Sequence, residues 1–304
     1  MRSRHDRGSL GSGSTMNRTL SILASLFLLL AASTAFAADP SIESALNNQY
    51  SGKTLALLHP IDKSSQVYDA DGNVLKGGQE GSWTLFGRIF VKKIRVEKTS
   101  VLIEGQRLAY VQGRHDFSPV RSGGKLKVQI NFTKAPSSAD EATVLLGHVF
   151  ALTNEDVVKS APGFWQKYLS AQLLHTPLTD SSADPAEEKP KGLNIVEIDP
   201  AGAMRPEKTR VQLRKGVTPP RPLFTPEPEY AEVARHQRYQ GVLVLQIVVD
   251  SAGKVRAPII LRPLGMGLDE NAVNMVLTWR FDPARMDGKP VAVQMKIEVA
   301  FNLY

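Results

Sequence analysis

Apolar and polar residues alternate along the last seventeen residues of the chain, GKPVAVQMKIEVAFNLY. The odd positions carry the apolar side chains, namely Val291, Val293, Met295, Ile297, Val299, Phe301 and Leu303. The even positions carry small or polar ones, namely Ala292, Gln294, Lys296, Glu298, Ala300 and Asn302. This pattern predicts a long β-strand with one buried face. Because an edge strand presents unpaired N–H and C=O groups, an uncovered strand of this kind is either a hazard or a docking site.

The segment before this strand predicts a small domain. A short helix is expected in EYAEVARHQR, and two strands in GVLVLQIVVD and KVRAPIILRPL, joined by a hairpin turn at 250–253. A second helix follows, with an apolar face formed by Leu268, Ala272, Met275, Val276 and Trp279. Together with the final strand, these elements predict a three-stranded antiparallel sheet covered by helices, an α+β fold.

Residues 41–175 predict a second α+β domain, which is rich in strands. The runs KTLALLHP, GSWTLFGRIFVKKIRVEK, SVLIEGQRLAYV and KLKVQINFTK are strand-like and are separated by turn residues. After Ser137 the pattern changes to helices with acidic residues in their first turns, and Pro162 breaks or restarts one of them. The sequence assigns no role to this domain.

Proline marks the connection between the two domains. Ten of the 19 prolines lie between residues 176 and 228, which predicts a semi-rigid, extended linker over 176–225. Two short strand-like runs, LNIVEID and TRVQLRK, interrupt it. If these runs fold back onto a neighbouring domain, the reach of the linker is shortened.

Residues 1–37 predict an upstream extension followed by a secretory signal peptide that begins at Met16. Arg18 precedes an apolar run from Leu20 to Ala32, and Ala35-Phe36-Ala37 fits a cleavage site. The expected location is the periplasm. The alternative is an uncleaved single-pass anchor in the inner membrane, because residues 20–38 approach the ~20 residues that span a bilayer.

The composition of the chain excludes several kinds of binding site and activity. There is no cysteine, which excludes disulfides and thiolate sites, and the net charge of +7 is spread along the chain. Nucleic-acid binding needs a concentrated basic surface, so we expect none. The histidines show no paired metal spacing, and no catalytic constellation or nucleotide loop is evident. We therefore expect no metal, no cofactor and no enzymatic activity.

Residues 226–304 resemble the TonB C-terminal domain. The marks are Pro228-x-Tyr230 before a helix, Gln240-Gly241, Asp250-x-x-Gly253, Gly267-Leu268-Asp269, Trp279-Arg280-Phe281-x-Pro283 and Gly288-Lys289-Pro290-Val291. The resemblance implies an energy transducer whose last strand binds the TonB-box peptide of TonB-dependent outer-membrane transporters. Binding by strand addition uses the open backbone edge for affinity and alternate side chains for specificity.

The resemblance also suggests roles for particular residues. The docking strand would comprise Val291, Ala292, Val293, Gln294, Met295, Lys296, Ile297, Glu298 and Val299. Arg280 either helps to hold the docked strand or has a structural role. The structural core would include Tyr230, Gly241, Leu268, Trp279 and Phe281. The same edge could instead pair with a second copy of the chain to form a homodimer.

Two features depart from the family. Transducers of this kind carry a His in an uncleaved N-terminal helix that meets the ExbB–ExbD motor, but no His lies between residues 16 and 37. A β-rich domain also stands where a long spacer is expected. Two hypotheses therefore remain: an energy transducer, or a motor-independent periplasmic binding or TolA-like envelope-integrity module.

Overall fold

Two β-sheets organise the chain, each built around long strands with apolar residues at alternate positions. The computed structural model describes residues 40–113, 117–174, 195–197 and 216–303. These residues belong to one compact unit, 38–304. The architecture is α+β, as predicted, with two sheets and short helices.

The first sheet lies in residues 40–174. The elements in this part are α1 (Pro40–Tyr50), β1 (Thr54–Leu57), β2 (Ser65–Tyr68), β3 (Val74–Lys76), α2 (Trp83–Phe86), β4 (Arg88–Val96), β5 (Ser100–Gln112), β6 (Phe117–Asn131), α3 (Ala139–Gly147), β7 (Phe150–Ala151), α4 (Asn154–Ser160) and α5 (Gly163–Leu173). The seven strands run in the order β3-β2-β6-β5-β4-β1-β7. All neighbours are antiparallel except β2 and β6, which are parallel.

The helices of this part begin where the sequence predicts. The Ser138 hydroxyl accepts the backbone N–H of Glu141 at the start of α3. At α4, Thr153 and Asp156 form a capping box, in which each side chain accepts the other residue's backbone N–H. Pro162 separates α4 from α5, because proline cannot continue the first helix but can begin the next.

One strand prediction was wrong in part. The run GSWTLFGRIF was expected to be a strand throughout, but Trp83–Phe86 form the single-turn helix α2, and β4 begins only at Arg88. Trp83 is buried and stacks on Tyr110, with ring centroids 5.0 Å apart. Contacts made across the fold therefore override the local preference of aromatic residues for strands.

The second sheet lies in the C-terminal part. The elements here are β8 (Ile195–Glu197), β9 (Val217–Thr218), β10 (Arg221–Phe224), α6 (Glu232–His236), β11 (Gly241–Val249), β12 (Val255–Arg262), α7 (Leu268–Val276), β13 (Arg280–Asp282), β14 (Ala284–Met286) and β15 (Lys289–Phe301). The expected antiparallel sheet β12-β11-β15 is present. It is extended beyond β15 by β14, β9 and β8, while β10 and β13 pair separately.

A shared hydrophobic core joins the two parts. One cluster of buried residues lies within residues 42–150 and fills the space between the first sheet and helices α1 and α3. A second cluster contains Trp83, Tyr110 and Trp165 from the first part together with Leu245, Ile260 and Val276 from the second. The two regions that were separated at residues 176–225 on sequence grounds thus pack directly against each other.

No helix in the described ranges is both long enough and apolar enough to cross a membrane.

The shared core can be tested at Trp165, which is fully buried and contacts Trp83, Phe117 and Tyr168 through its rings. We expect Trp165→Ala to lower the free energy of unfolding by ~3–5 kcal/mol. Because the core is shared, chemical denaturation should shift the signals of both parts together. Val144→Ala is the control, since Val144 is 60% exposed on α3. A loss of stability confined to residues 40–174 would contradict a shared core.

Candidate docking strand

Strand β15 is held on its inner side by β11. The two strands pair antiparallel without a break from Gly241 opposite Phe301 to Val249 opposite Val293. Val293, Ile297 and Phe301 point into the core and are almost completely buried. The alternation read from the sequence therefore sets the register, because a slip by one residue would turn every one of these side chains away from the core.

The outer edge of β15 is paired over its first half only. β14 forms a hairpin with residues 289–291. β8 then runs parallel to β15, with Ile195, Val196 and Glu197 opposite Ala292, Val293 and Gln294. Within the described parts of the chain, no strand pairs with the outer edge from Met295 to Phe301. With respect to the described residues, the last seven residues of β15 therefore present an open backbone edge.

The opposite edge of this sheet is covered. β12 is its last strand on that side, and helix α5 from residues 40–174 packs against β12. A helix laid along an edge strand is one of the ways in which proteins prevent unwanted pairing. The two edges of the sheet therefore differ. The open edge belongs to the final strand, which the sequence analysis interprets as either a hazard or a docking site.

The side chains of the open stretch differ between its two faces. Met295, Ile297 and Val299 are buried, whereas Lys296 and Glu298 are half-buried and Ala300 is exposed. Glu298 lies 4.0 Å from Arg262 on β12, across the sheet. An added strand would therefore meet a polar face carrying both charges on one side of the sheet and the apolar core on the other.

Arg280 lies on a different strand. It belongs to β13, which pairs with β10 and not with β15. Its guanidinium donates to the carbonyls of Thr278 (2.9 Å) and Trp279 (2.7 Å), just after the end of α7. These contacts favour the structural alternative for Arg280, because its guanidinium holds the turn that follows α7.

Trp279 was placed on the apolar face of the last helix, and that position is wrong. Helix α7 ends at Val276, so Trp279 follows it. The indole packs against the core while remaining only half-buried, and its Nε1 donates to the Pro226 carbonyl at 3.0 Å. Trp279 therefore fixes the entry of the chain into this domain instead of filling its centre.

The other predicted core residues divide into two groups. Leu268 and Phe281 are buried. Tyr230 is half-buried, donates to the Tyr239 carbonyl and packs edge-on against Phe301, with ring centroids 5.4 Å apart. Gly241 is also half-buried, and a Cβ there would lie 2.5 Å from Leu264 Cδ1. A larger residue at this position would therefore require the Leu264 side chain to move.

Comparison with known proteins gives one family for this region. The family described as the Gram-negative bacterial TonB protein C-terminal matches residues 226–303. Residues 226–303 are therefore similar to this family, and we refer to them as the TonB C-terminal domain. The curated relative Protein TonB of Vibrio cholerae serotype O1 is 31% identical over 78 residues, which is 25% of this chain and 32% of that protein. The chain thus matches about a third of that relative's length.

A solved structure is also similar to this chain. It is the solution NMR structure of the Pseudomonas aeruginosa TonB CTD, with 22% identity and a TM-score of 0.25, covering 30% of this chain and 89% of that one.

The contact between the TonB C-terminal domain and residues 40–174 was missed by sequence reasoning. Glu270 on α7 is buried, and its carboxylate accepts the backbone N–H of Thr84 (2.9 Å) and the Thr84 hydroxyl (2.8 Å). The same hydroxyl oxygen accepts the N–H of Gly267 at 2.9 Å. A Thr and a Glu 186 residues apart give no local pattern that would reveal this contact.

The turn before α7 completes the contact. Gly265, Met266 and Gly267 all have positive φ values, 97°, 56° and 79°. A Cβ on Gly265 would lie 2.2 Å from the Tyr110 carbonyl oxygen, so the backbones meet closely here. The Met266 N–H donates to that oxygen at 2.9 Å. The pair of glycines, which sequence reasoning rejected as a nucleotide loop, is an interdomain turn.

Asp269 stabilises this turn through hydrogen bonds from its carboxylate. Its carboxylate accepts the backbone N–H groups of Leu264 (2.8 Å) and Gly265. Burial, followed by the charge of neighbouring Glu270, raises the pKa of Asp269 to about 7. Burial also raises the pKa of Glu270. The two carboxyl groups titrate together, because each one makes ionisation of the other less favourable.

These pKa values predict a pH dependence of stability. A carboxyl group whose pKa is raised on folding stabilises the protein below its unfolded pKa, near 4, and this contribution is lost as the pH rises towards its folded pKa, about 7. We therefore expect the Tm of the wild type to fall more steeply than that of Asp269→Asn between pH 4 and pH 7. Thermal melts of both proteins in matched buffers give the comparison, and the contributions of titratable groups remote from Asp269 cancel. Parallel curves would show that Asp269 is ionised throughout.

Proposed function

We propose that the TonB C-terminal domain docks TonB-dependent outer-membrane transporters by adding a transporter peptide as a strand along β15. The main observation in support of this proposal is the open edge from Met295 to Phe301, in a sheet whose opposite edge strand packs against α5. Backbone groups on such an edge pair with any extended segment, and alternate side chains then select among segments. The match to the TonB C-terminal family supports the same partner.

The proposal places the protein in the periplasm, exported by the signal in residues 1–37. It acts there by binding and not as an enzyme. Coupling to the ExbB–ExbD motor requires that the N-terminal segment stay uncleaved as an inner-membrane anchor. Sequencing the N-terminus of the purified protein decides this point, because cleavage between Ala37 and Ala38 would remove the anchor.

A motor-independent binding or TolA-like envelope module is the second candidate, and one observation favours it. A transducer needs an extended arm between its anchor and its docking domain. Here residues 40–174 share a core with the docking domain, and β8, from within the linker, lies on β15. The linker therefore joins two regions that are already in contact, so it does not act as a spacer between them.

Strand addition has a direct signature in amide hydrogen exchange. A peptide containing the TonB box of an outer-membrane transporter should protect alternate amides between Met295 and Phe301, because only every second N–H of an edge strand points outward. The same peptide with a central proline is the control, since proline cannot donate to the ladder. Peptide binding that leaves these amides unprotected would refute docking at this edge.

Proline substitution in β15 tests the same edge from the protein's side. Of the adjacent variants Lys296→Pro and Ile297→Pro, one removes an N–H bonded to β11 and the other an outward N–H. Because Ile297 is buried, the loss in Tm of Ile297→Ala is subtracted from that of Ile297→Pro, and the outward variant is the one with the milder remaining loss. We expect this variant to lose peptide binding in calorimetry. The N–H groups of residues 296 and 298 point to the same side of the strand, so Glu298→Pro serves as a second variant of the same kind as Lys296→Pro. A folded outward variant with wild-type peptide affinity would refute strand addition.

The same edge could pair two copies of the chain. Sedimentation velocity of the wild type and the outward proline variant distinguishes this outcome. A dimer that the peptide does not dissociate, and that the proline variant abolishes, would assign the edge to self-association instead of transporter docking.

β8 predicts a competition within the chain. Because it occupies the outer edge at 292–294, a partner strand extending over these residues must displace it. Of the adjacent variants Ile195→Pro and Val196→Pro, we expect one to raise peptide affinity roughly two- to tenfold, which corresponds to one backbone hydrogen bond. Ala183→Pro in the same linker is the control. Unchanged affinity in both variants would mean that the peptide occupies only 295–301.

A further inference from the structure

Arg88 is a buried cation that has no acidic partner in the part of the chain that the structure describes. It is the first residue of β4 and only 6% exposed. Its Nε donates to the Tyr110 hydroxyl at 2.8 Å, and its Cζ lies 5.1 Å and 5.3 Å from the ring centroids of Trp83 and Tyr110. Among the described residues, no carboxylate lies within ion-pairing distance of Arg88, and neither terminal nitrogen, Nη1 nor Nη2, donates to a protein acceptor.

Arg88 lines a cavity of about 220 Å³. The walls come from β1, β4, β5, β7, α4 and α5, and they include the apolar side chains of Ala56, Ala151 and Val157. Thr153 and Asn154 are exposed and form part of its rim. None of the lining residues is acidic. The cavity thus combines one cation with neutral walls that carry both small apolar side chains and uncharged polar ones.

Arg107 in the same sheet is a buried arginine whose two terminal nitrogens both have partners within the chain. It is 7% exposed, but its terminal nitrogens donate to the carbonyls of Phe86 (3.1 Å) and Lys63 (2.7 Å). Burial lowers the pKa of Arg107. Arg88 has no such carbonyl partners for its terminal nitrogens. The contrast suggests that those nitrogens serve a group from outside the chain.

We propose that Arg88 and this cavity bind a small carboxylate with a short aliphatic body. An unpaired charge is costly to bury, and the two aromatic rings offset only part of that cost. The planar guanidinium can donate two parallel hydrogen bonds to a carboxylate, and the apolar side chains of Ala56, Ala151 and Val157 can contact a short alkyl chain. The carboxylate could belong to a free acid or to the end of a peptide, since both present the same group.

The test compares pentanoate with pentanamide, which has nearly the same shape but no charge. In calorimetry with the full chain, we expect pentanoate to bind at least about tenfold more tightly than pentanamide, as a charge-assisted pair requires. A tetrapeptide ending in valine, with a free or an amidated C-terminus, distinguishes a peptide end from a free acid. Equal binding of pentanoate and pentanamide, or no pentanoate binding, would overturn the proposal.

Variants locate the binding to Arg88. Arg88→Met should abolish pentanoate binding, and Arg88→Lys, which keeps the charge but loses the planar fork, should weaken it about tenfold or more. Arg121→Met is the matched control, because Arg121 is exposed on β6 and the change in net charge is the same. If Arg88→Met does not fold, the Arg88→Lys variant and the comparison of pentanoate with pentanamide in the wild type still test the proposal. Wild-type pentanoate affinity in a folded Arg88→Met would place binding elsewhere and refute the site.

Discussion

The shared core between residues 40–174 and the TonB C-terminal domain is the constraint on which the rest of the structure depends. It buries Trp165 and the aromatic rings around it, and it lays α5 along β12. The glycine turn before α7 and the Thr84–Glu270 hydrogen bonds fix the relative position of the two parts. Helix α5 thus lies against the strand at one edge of the C-terminal sheet.

The sequence predicts the docking sheet well because its signals are local. The alternation along β15, the hairpin turn at 250–253 and the apolar face of α7 each lie within a few residues, and each appears where expected. Trp279 shows the limit of this approach, since helical periodicity continues past the residue at which α7 ends. Only the hydrogen bond to Pro226 shows what the indole does there.

The contacts that sequence could not predict are those between distant segments. The pairing of β8 with β15 and the contact between Thr84 and Glu270 join residues far apart in the chain. Neither leaves a periodic pattern, because each depends on how the two parts approach one another. The predicted strand in LNIVEID is present as β8, but its partner could not be read from the linker. TRVQLRK lies outside the described residues.

The continuous pairing of β11 with β15 has a mechanical consequence. Hydrogen bonds between antiparallel strands lie across the strand direction. Tension applied along β15 by a partner strand would therefore act in shear on the whole ladder from Val293 to Phe301, and not open it one bond at a time from an end. β8, with three paired residues, would yield first under the same pull. Under the same pull, this sheet would therefore combine a short strand that separates early with a long strand that stays paired.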